Sequence, residues 1–492
     1  MSLSSKMLRS SVWVYFAQWF SKLAGFISTI VLARILTPDD FGIVASAAIV
    51  TSIFFTLTSV GPETYLLRKE HISEDDLNTA WSVGIILKFL VFLGVFFTAP
   101  LVGDFFNEVR LIEVLQIVSI FPFVLSFNNI GMLLFKKEMD YKPAFKLGVF
   151  AQLLSLATKI GLALYWGNYW AFIVAELVAK ISFVVGSYYL HSFRPIFSLV
   201  NIRDQWAFSQ WVLAKGIFSN IRYKIDNILI AKVFSAQALG LYSTAKDIAT
   251  MPAGQIVEPL TQPLYVGLAS YKNSPKIFAD KVHKSMLSAA MIAFPIAFGI
   301  SAVASPLVIV LLGEKWHAAI SIVEILSFLL LSGVFNSLTG QILNVLGRVK
   351  ASFFLDVILG VFTIVIFVTL ATKLNISEFA LLRVAIGIVS AAVMFLYLER
   401  VSKISLGKVL ILILPVFIMA LGMYFFVNFI AGFYLIKILA GQLIFSILLG
   451  VLFYSLLSLL VVFILKKYLD EYEFLWKTFY LPLFSKLKFI KE

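Results

Sequence analysis

The stretch "VLARILTPDDFGIVASA" (Val31 to Ala47) aligns without a gap on "LIAKVFSAQALGLYSTA" (Leu229 to Ala245). Ala33 meets Ala231, Arg34 meets Lys232, Phe41 meets Leu239, Gly42 meets Gly240 and Ala47 meets Ala245. Carried upstream in the same frame, Trp13 falls on Trp211, Phe20 on Phe218 and Ser21 on Ser219. In each copy an apolar helix ends, a short loop comes next, and a glycine opens the next apolar run. Loop residues match as well as apolar ones, which marks an internal repeat rather than chance likeness between apolar segments.

The repeat lies in a chain whose solvent is lipid. Of its 492 residues 61% are apolar and 14% charged, with a mean hydropathy of +0.96. These values lie far from those of soluble domains. Apolar runs long enough to cross a hydrocarbon core of about 30 Å recur throughout, so the fold class expected is an all-α polytopic membrane protein. The hydropathy pattern gives about 14 spans. They lie near 11–36, 41–61, 81–102, 111–135, 144–166, 168–190, 205–234, 238–270, 284–312, 317–346, 351–373, 377–398, 407–430 and 434–465. The apolar start runs on to Leu36 with no small-residue cleavage site, and reads as a retained first helix.

Alternate loops separate by charge. One set carries Lys6 and Arg9, Arg68 and Lys69, Lys136, Lys137, Lys142 and Lys146, Arg194 and Arg203, Lys272 to Lys284, Arg348 and Lys350, and Arg400 to Lys408. The other set has single cations at Arg34, Arg110, Lys232, Lys315, Lys373 and Lys437. The positive-inside rule then places both termini in the cytoplasm. The net charge of +13 comes from these loops and does not form a nucleic-acid patch.

The copies are about six spans apart and run in the same direction, so the repeat is parallel. It divides the chain into a six-helix bundle at 1–200, a second at 201–400, two extra helices at 401–465 and an amphipathic cytoplasmic tail at 466–492. The tail suits either an interfacial helix or a disordered juxtamembrane end. Parallel repeats of this kind place a substrate site at the interface of their halves.

Charges inside the spans mark that site. At about 100° per residue, Ser219, Arg222, Asp226 and Trp211 all fall within about 40° of Lys215 on the seventh span. Such a stripe must face protein or a water-filled cavity, because a lone charge at the bilayer centre costs roughly 3 kcal/mol or more. The first span has a related stripe of Ser11, Gln18, Lys22, Gly25 and Thr29. Candidate binding residues of a cationic cavity are Gln18, Lys22, Lys159, Lys180, Trp211, Lys215, Arg222 and Lys246. Arg and Lys there would donate charge-assisted bonds to a phosphate or diphosphate. Glu176 with Lys180, and Arg222 with Asp226, are each spaced i, i+4 and equally suit internal pairs.

The eighth span contains Pro252, Gly254, Pro259 and Pro263, so it is bent or broken. A hinge and a static kink both fit. Asp226, Asp247, Glu258 and Glu176 are candidates for carrying a coupling proton or sodium ion. No organic cofactor or metal is expected, and without a GxxxxGK[ST] loop direct ATP hydrolysis by this chain is not expected either. His71, His191, His283 and His317 show no ligand spacing and read as surface residues.

The residues resemble a known family. "VLARILTPDDFGIVA" after the first span, "KKEMDYK" after the fourth, "DNILIAKVFSAQALGLYSTA", and "LLGEKWHAAISIVEILSFLLLSGVFNSLTGQILNVLGR" (Leu311 to Arg348) are similar to the polysaccharide transporter (Wzx-type flippase) branch of the multidrug/oligosaccharidyl-lipid/polysaccharide exporter superfamily. Ala231 departs from the glycine that relatives often carry. The resemblance implies two six-helix bundles in a V around a cationic cavity open alternately to each side. It implies an undecaprenyl-diphosphate-linked oligosaccharide as substrate, moved to the periplasmic leaflet of the bacterial inner membrane for O-antigen, exopolysaccharide or related synthesis. A polymerase and chain-length machinery are the partners it implies. Alternatives are another exporter of the superfamily, which would carry an acid-rich cavity, and a glycan polymerase or ligase, which would need a long exterior loop.

Overall fold

The computed structural model describes residues 3–59, 65–67, 69–202, 224–252, 268, 270–271, 274–402, 404–432 and 438–482. All regular structure among these described residues is helical. Ten helical segments are long and apolar enough to cross a membrane, from Val12–Ile35 to Leu439–Leu465. The protein is a multi-pass membrane protein. The chain forms two compact units, Met1–Ser243 and Thr244–Glu492.

The first unit begins with α1 (Leu3–Ile35) and α2 (Pro38–Ser59). The turn between them is built by "TPDD". The Thr37 Oγ1 accepts from the Asp40 N–H at 3.3 Å, and Asp40 Oδ2 accepts from the Thr37 N–H at 3.0 Å. This reciprocal capping box starts α2 at Pro38, three residues before the apolar run itself begins. The repeat copy keeps the hydroxyl half of this device. Ser235, aligned with Thr37, accepts from the Ala238 N–H at 3.0 Å and starts the helix Ala236–Pro252.

Next come α3 (Glu74–Phe106), α4 (Arg110–Val118), α5 (Ile120–Ser126), α6 (Met132–Lys137), α7 (Lys142–Trp166) and α8 (Trp170–Leu190). A capping box of Ser73 with Asp76 opens α3, and Asn107 in the left-handed region closes it. The expected single span 111–135 is instead broken into α4, α5 and α6. At the first break Ser119 Oγ donates to the Gln116 carbonyl at 2.6 Å, and at the second Ser126 Oγ donates to the Phe123 carbonyl at 2.6 Å. Serine hydroxyls that compete for main-chain carbonyls bend or end helices. Helices α7 and α8 pack on each other, with α1 against α7 and α5 against α8. Residues 224–233 are helical and lead into α9 (Ala236–Pro252), within which the boundary between the units falls.

The second unit continues with α10 (Pro275–Ala302), α11 (Ala304–Leu312), a 3-10 turn (Glu314–Ala319), α12 (Ile320–Leu326), α13 (Leu329–Val345), α14 (Val349–Leu370), α15 (Ile376–Val401), α16 (Leu406–Ala431) and α17 (Leu439–Leu465). The expected span 317–346 is likewise interrupted, at Ser327, whose Oγ donates to the Glu324 carbonyl at 2.8 Å. On α16, Leu412, Val416, Met419, Met423 and Val427 are buried against α10 and α17, while Ile411, Leu414, Ile418, Phe425 and Phe429 are exposed. An apolar outer face at helical spacing is what lipid requires.

Within the tail, α18 (Asp470–Leu475) is docked rather than loose. Tyr472 is fully buried and donates to the Leu412 carbonyl at 2.8 Å, and buried Glu471 pairs with Lys408 at 2.6 Å. His283, read from the sequence as a surface residue, is buried on α10 with its Nδ1 3.9 Å from the Glu471 carboxylate. Packing of α18 against α10 covers it, a long-range contact that periodicity does not reveal.

Candidate functional site

Helices α2, α4, α5, α7 and α8 line a half-open cavity of about 320 Å³ in the first unit. Three of the expected charged residues line it. Lys159 comes from the C-terminal half of α7, two turns before its end, and Glu176 and Lys180 from successive turns of α8. Glu176 and Lys180 form an ion pair at 2.5 Å, so the internal pairing allowed by their spacing is realised. Lys159 lies over the Phe172 ring, with Nζ 5.2 Å from its centroid. The one carboxylate lining the cavity is therefore engaged by Lys180, and Lys159 leaves the cavity with an excess positive charge. Cation–π contact offsets only part of the cost of placing that charge away from water.

Phe172, Glu176 and Lys180 recur every four residues along one face of α8, so each turn presents one of them to the cavity. Phe121 on α5 and Thr51 on α2 complete the wall. Sequence reasoning missed both aromatics, although the spacing of Phe172 from Glu176 carries the signal.

Gln18 belongs elsewhere. It lines a second cavity of about 250 Å³ between α1 and α7, with Trp13, Ser21, Tyr141 and Phe145. Lys22, one turn further along α1, is exposed and lines neither of these two cavities. The α1 stripe is open at Gly25, where an added Cβ would meet nothing, and Thr29 Oγ1 donates back to the Gly25 carbonyl at 3.1 Å. Asp226 is buried in the first unit, accepting from the Tyr242 hydroxyl at 3.1 Å and from the Asn227 N–H at 3.0 Å. In the second unit, Lys246 is half-buried and Asp247 exposed on α9, which ends at Pro252. Trp211, Lys215, Arg222, Gly254, Glu258, Pro259 and Pro263 lie outside the described residues.

At the start of α2 in the first unit, Arg110 ties α4 to α2 and to the turn that precedes α4. Its guanidinium donates to Asp39 at 2.5 Å and to Glu108 at 2.7 Å, and these bonds push its pKa further up. The neighbouring Asp40 Oδ1 accepts from the Tyr169 N–H at 3.2 Å. Among the described residues no group of three or more His, Asp or Glu side chains could hold a metal ion.

A model of the family described as "Polysaccharide biosynthesis protein" matches residues 31–321, more than half of the chain. The chain is 24% identical to the lipopolysaccharide biosynthesis protein WzxC of Escherichia coli (strain K12), over 72% of this chain and 73% of that protein. It is 21% identical to the succinoglycan biosynthesis transport protein ExoT of Rhizobium meliloti (strain 1021), over 61% of this chain and 62% of that one. Among solved structures, the lipid II flippase MurJ in an inward closed conformation superposes with a TM-score of 0.74 at 13% identity, covering 92% of this chain and 99% of MurJ. An inward-facing multidrug resistance MATE family transporter superposes with a TM-score of 0.57 at 16% identity, covering 77% and 94%. These two likenesses concern the fold. The chain thus belongs to the polysaccharide biosynthesis protein family, among its Wzx-type transporters and not among enzymes.

Proposed function

We propose that this protein flips an undecaprenyl-diphosphate-linked oligosaccharide from the cytoplasmic to the periplasmic leaflet of a bacterial inner membrane by alternating access. Its relatives are named for lipopolysaccharide biosynthesis and for succinoglycan biosynthesis transport, which supports a lipid-linked glycan as cargo. The observation that carries the anionic part of the reading is Lys159. This lysine sits about two-thirds of the way along a membrane helix and faces a cavity whose one carboxylate, Glu176, already holds Lys180. A site with excess positive charge suits a diphosphate and disfavours a cationic drug.

The full reading has 14 membrane helices in two six-helix halves plus two, with both termini in the cytoplasm. Lys22, Lys215 and Arg222 would hold the anionic head with Lys159, while the polyprenyl tail stays in lipid. A proton or sodium gradient would drive the cycle through Asp226, Asp247, Glu258 or Glu176. A polymerase and chain-length proteins would receive the product.

The test is a leaflet-specific assay in reconstituted vesicles, tracking a fluorescent polyprenyl-diphosphate oligosaccharide with and without ion gradients. Gradient-dependent appearance of the headgroup on the far leaflet is expected and names the coupling ion. No movement by folded, correctly oriented protein would overturn the reading in favour of another exported lipid or drug.

A further inference from the structure

The chain leaving α8 does not loop freely. Asn129 Nδ2 donates to the carbonyls of His191 at 3.0 Å and Phe193 at 2.8 Å. The Arg194 guanidinium donates to the same two carbonyls, at 2.8 and 3.0 Å. Phe193 packs into a cluster with Leu66, Leu77, Ala80 and Leu133. From there an extended strap runs along α3. The Ile196 N–H donates to Asn78 Oδ1 at 2.9 Å, and the Ser198 N–H donates to Ser82 Oγ at 2.8 Å. The strap then turns, with the Ile202 N–H on the Leu199 carbonyl at 3.2 Å. It returns to Asp76, whose Oδ1 accepts from Asn201 Nδ2 at 2.8 Å, while Thr79 Oγ1 accepts from the Asn201 N–H at 3.3 Å.

The strap's outer face is apolar. Ile196 is 70% exposed, Phe197 59% and Val200 74%. No residue between Arg194 and Asn201 carries a charge. The polar network of Lys69, Asp76 and Asn201 marks the watery end of α3. Ser82 lies six residues further along, about 9 Å at 1.5 Å per residue. That is the depth at which interfacial segments bury their apolar faces, roughly 5–10 Å. Past the apex α3 continues with exposed Phe89 and Leu90, so the strap's apolar face is continuous with the surface the helix turns to lipid. Main-chain donors handed to α3 side chains lower the cost of bringing irregular backbone to that depth.

We infer that residues 195–200 form a shallow re-entrant strap whose partner is the lipid leaflet at the Asp76 end of α3, the cytoplasmic leaflet on the positive-inside orientation. Arg194 stands at its water edge, where a headgroup phosphate is within the chemistry of its free donors. The strap thereby anchors the first unit to the leaflet just after α8.

Because the chain has no cysteine, single nitroxide labels report cleanly. Phe197→Cys and Val200→Cys are labelled in phospholipid vesicles, with Glu70→Cys as the aqueous reference and Leu90→Cys as the lipid reference. Collision rates with oxygen and with a water-soluble nickel chelate are then compared. Positions 197 and 200 are expected to behave like 90, with high oxygen and several-fold lower nickel collision than at 70. Adding Asn78→Ala and Ser82→Ala, which release the strap, should raise nickel access at 200. Nickel access at 197 and 200 equal to that at 70 would overturn the proposal in favour of a solvated loop. Low access to both reagents would overturn it in favour of a protein cover, from a second copy or another segment.

Discussion

Gly42 and Gly240, partners in the sequence repeat, also face each other in space. A Cβ on Gly42 would fall on the carbonyl of Ala236, and a Cβ on Gly240 would fall on the carbonyl of Pro38, itself the repeat partner of Ala236. The contact is reciprocal, as an isologous contact between two symmetry-related copies would be. Each helix start is capped by a hydroxyl, Thr37 or Ser235, that accepts from a first-turn N–H. Only a residue without a Cβ permits main chains to approach so closely.

Gly42→Ala and Gly240→Ala should therefore each wedge the two helix starts apart. Overpacking typically costs about 1–3 kcal/mol, and both variants should lower the melting temperature in detergent. Disulfide formation between cysteines placed at 38 and 236 should be efficient in the parent chain and reduced when either alanine is added. Unchanged crosslinking would mean that the approach is not made in the membrane.

Lys159→Met keeps the length and apolar stem of the side chain but removes its charge. If Lys159 holds an anionic headgroup, transport should fall about tenfold, which corresponds to about 1.4 kcal/mol of lost transition-state binding, with little change in melting temperature. Lys159→Arg should retain most of the activity. Equal loss in both variants would point to packing rather than charge.

Lys22→Ala with Lys215→Ala tests the remaining cations of the proposed head site. The double variant should fold and lose most leaflet transfer. Wild-type transfer rates in the double variant would remove both residues from the mechanism and leave the anion to Lys159 and its neighbours.

His191 gives a pH dependence. Burial lowers its pKa, opposed in part by the charge of Glu138, and its Nδ1 accepts from the Phe193 N–H at 3.1 Å, a bond only the unprotonated nitrogen can make. The folded chain therefore binds the proton less readily than the unfolded chain, whose histidine titrates near about 6.5. Its stabilising share is complete above that pH and is lost as pH falls below it. Melting temperature measured at pH 7.5 and 5.5 should drop on acidification, by less in His191→Phe. Gly131 makes room for the ring, since a Cβ there would overlap it, so Gly131→Ala should destabilise at both pH values.

Glu471→Gln should loosen the tail. The carboxylate is buried and pairs with a half-exposed lysine, Lys408, so losing the pair should cost about 1 kcal/mol. Limited proteolysis should then cut between Lys466 and Lys477 faster than in the parent. Equal cutting rates would show that Tyr472, through its bond to Leu412, is sufficient to hold the segment.

Much of this protein was legible from residue order alone, because lipid imposes a simple rule: every spanning segment must be long, apolar and helical. Hydropathy therefore marked the all-helical membrane class, and ten helices among the described residues are long and apolar enough to span. The "TPDDFG" and "SAQALG" turns exposed the repeat, because caps and close-packed glycines are local requirements written in local residues. The i, i+4 spacing of Glu176 and Lys180 made their pairing one of two readings. The structure realises the pair within α8, and only the placement of α7 beside α8 shows that Lys159 shares the cavity while Gln18 and Lys22 lie elsewhere. The breaks at Ser119 and Ser327 go with local serine-to-carbonyl bonds that hydropathy does not read, whereas tertiary structure decided the burial of His283 under the tail and the strap of residues 191–202 along α3. Each of these depends on which distant side chain supplies the hydrogen bond or the cover, and a segment's own period carries no record of its distant neighbours.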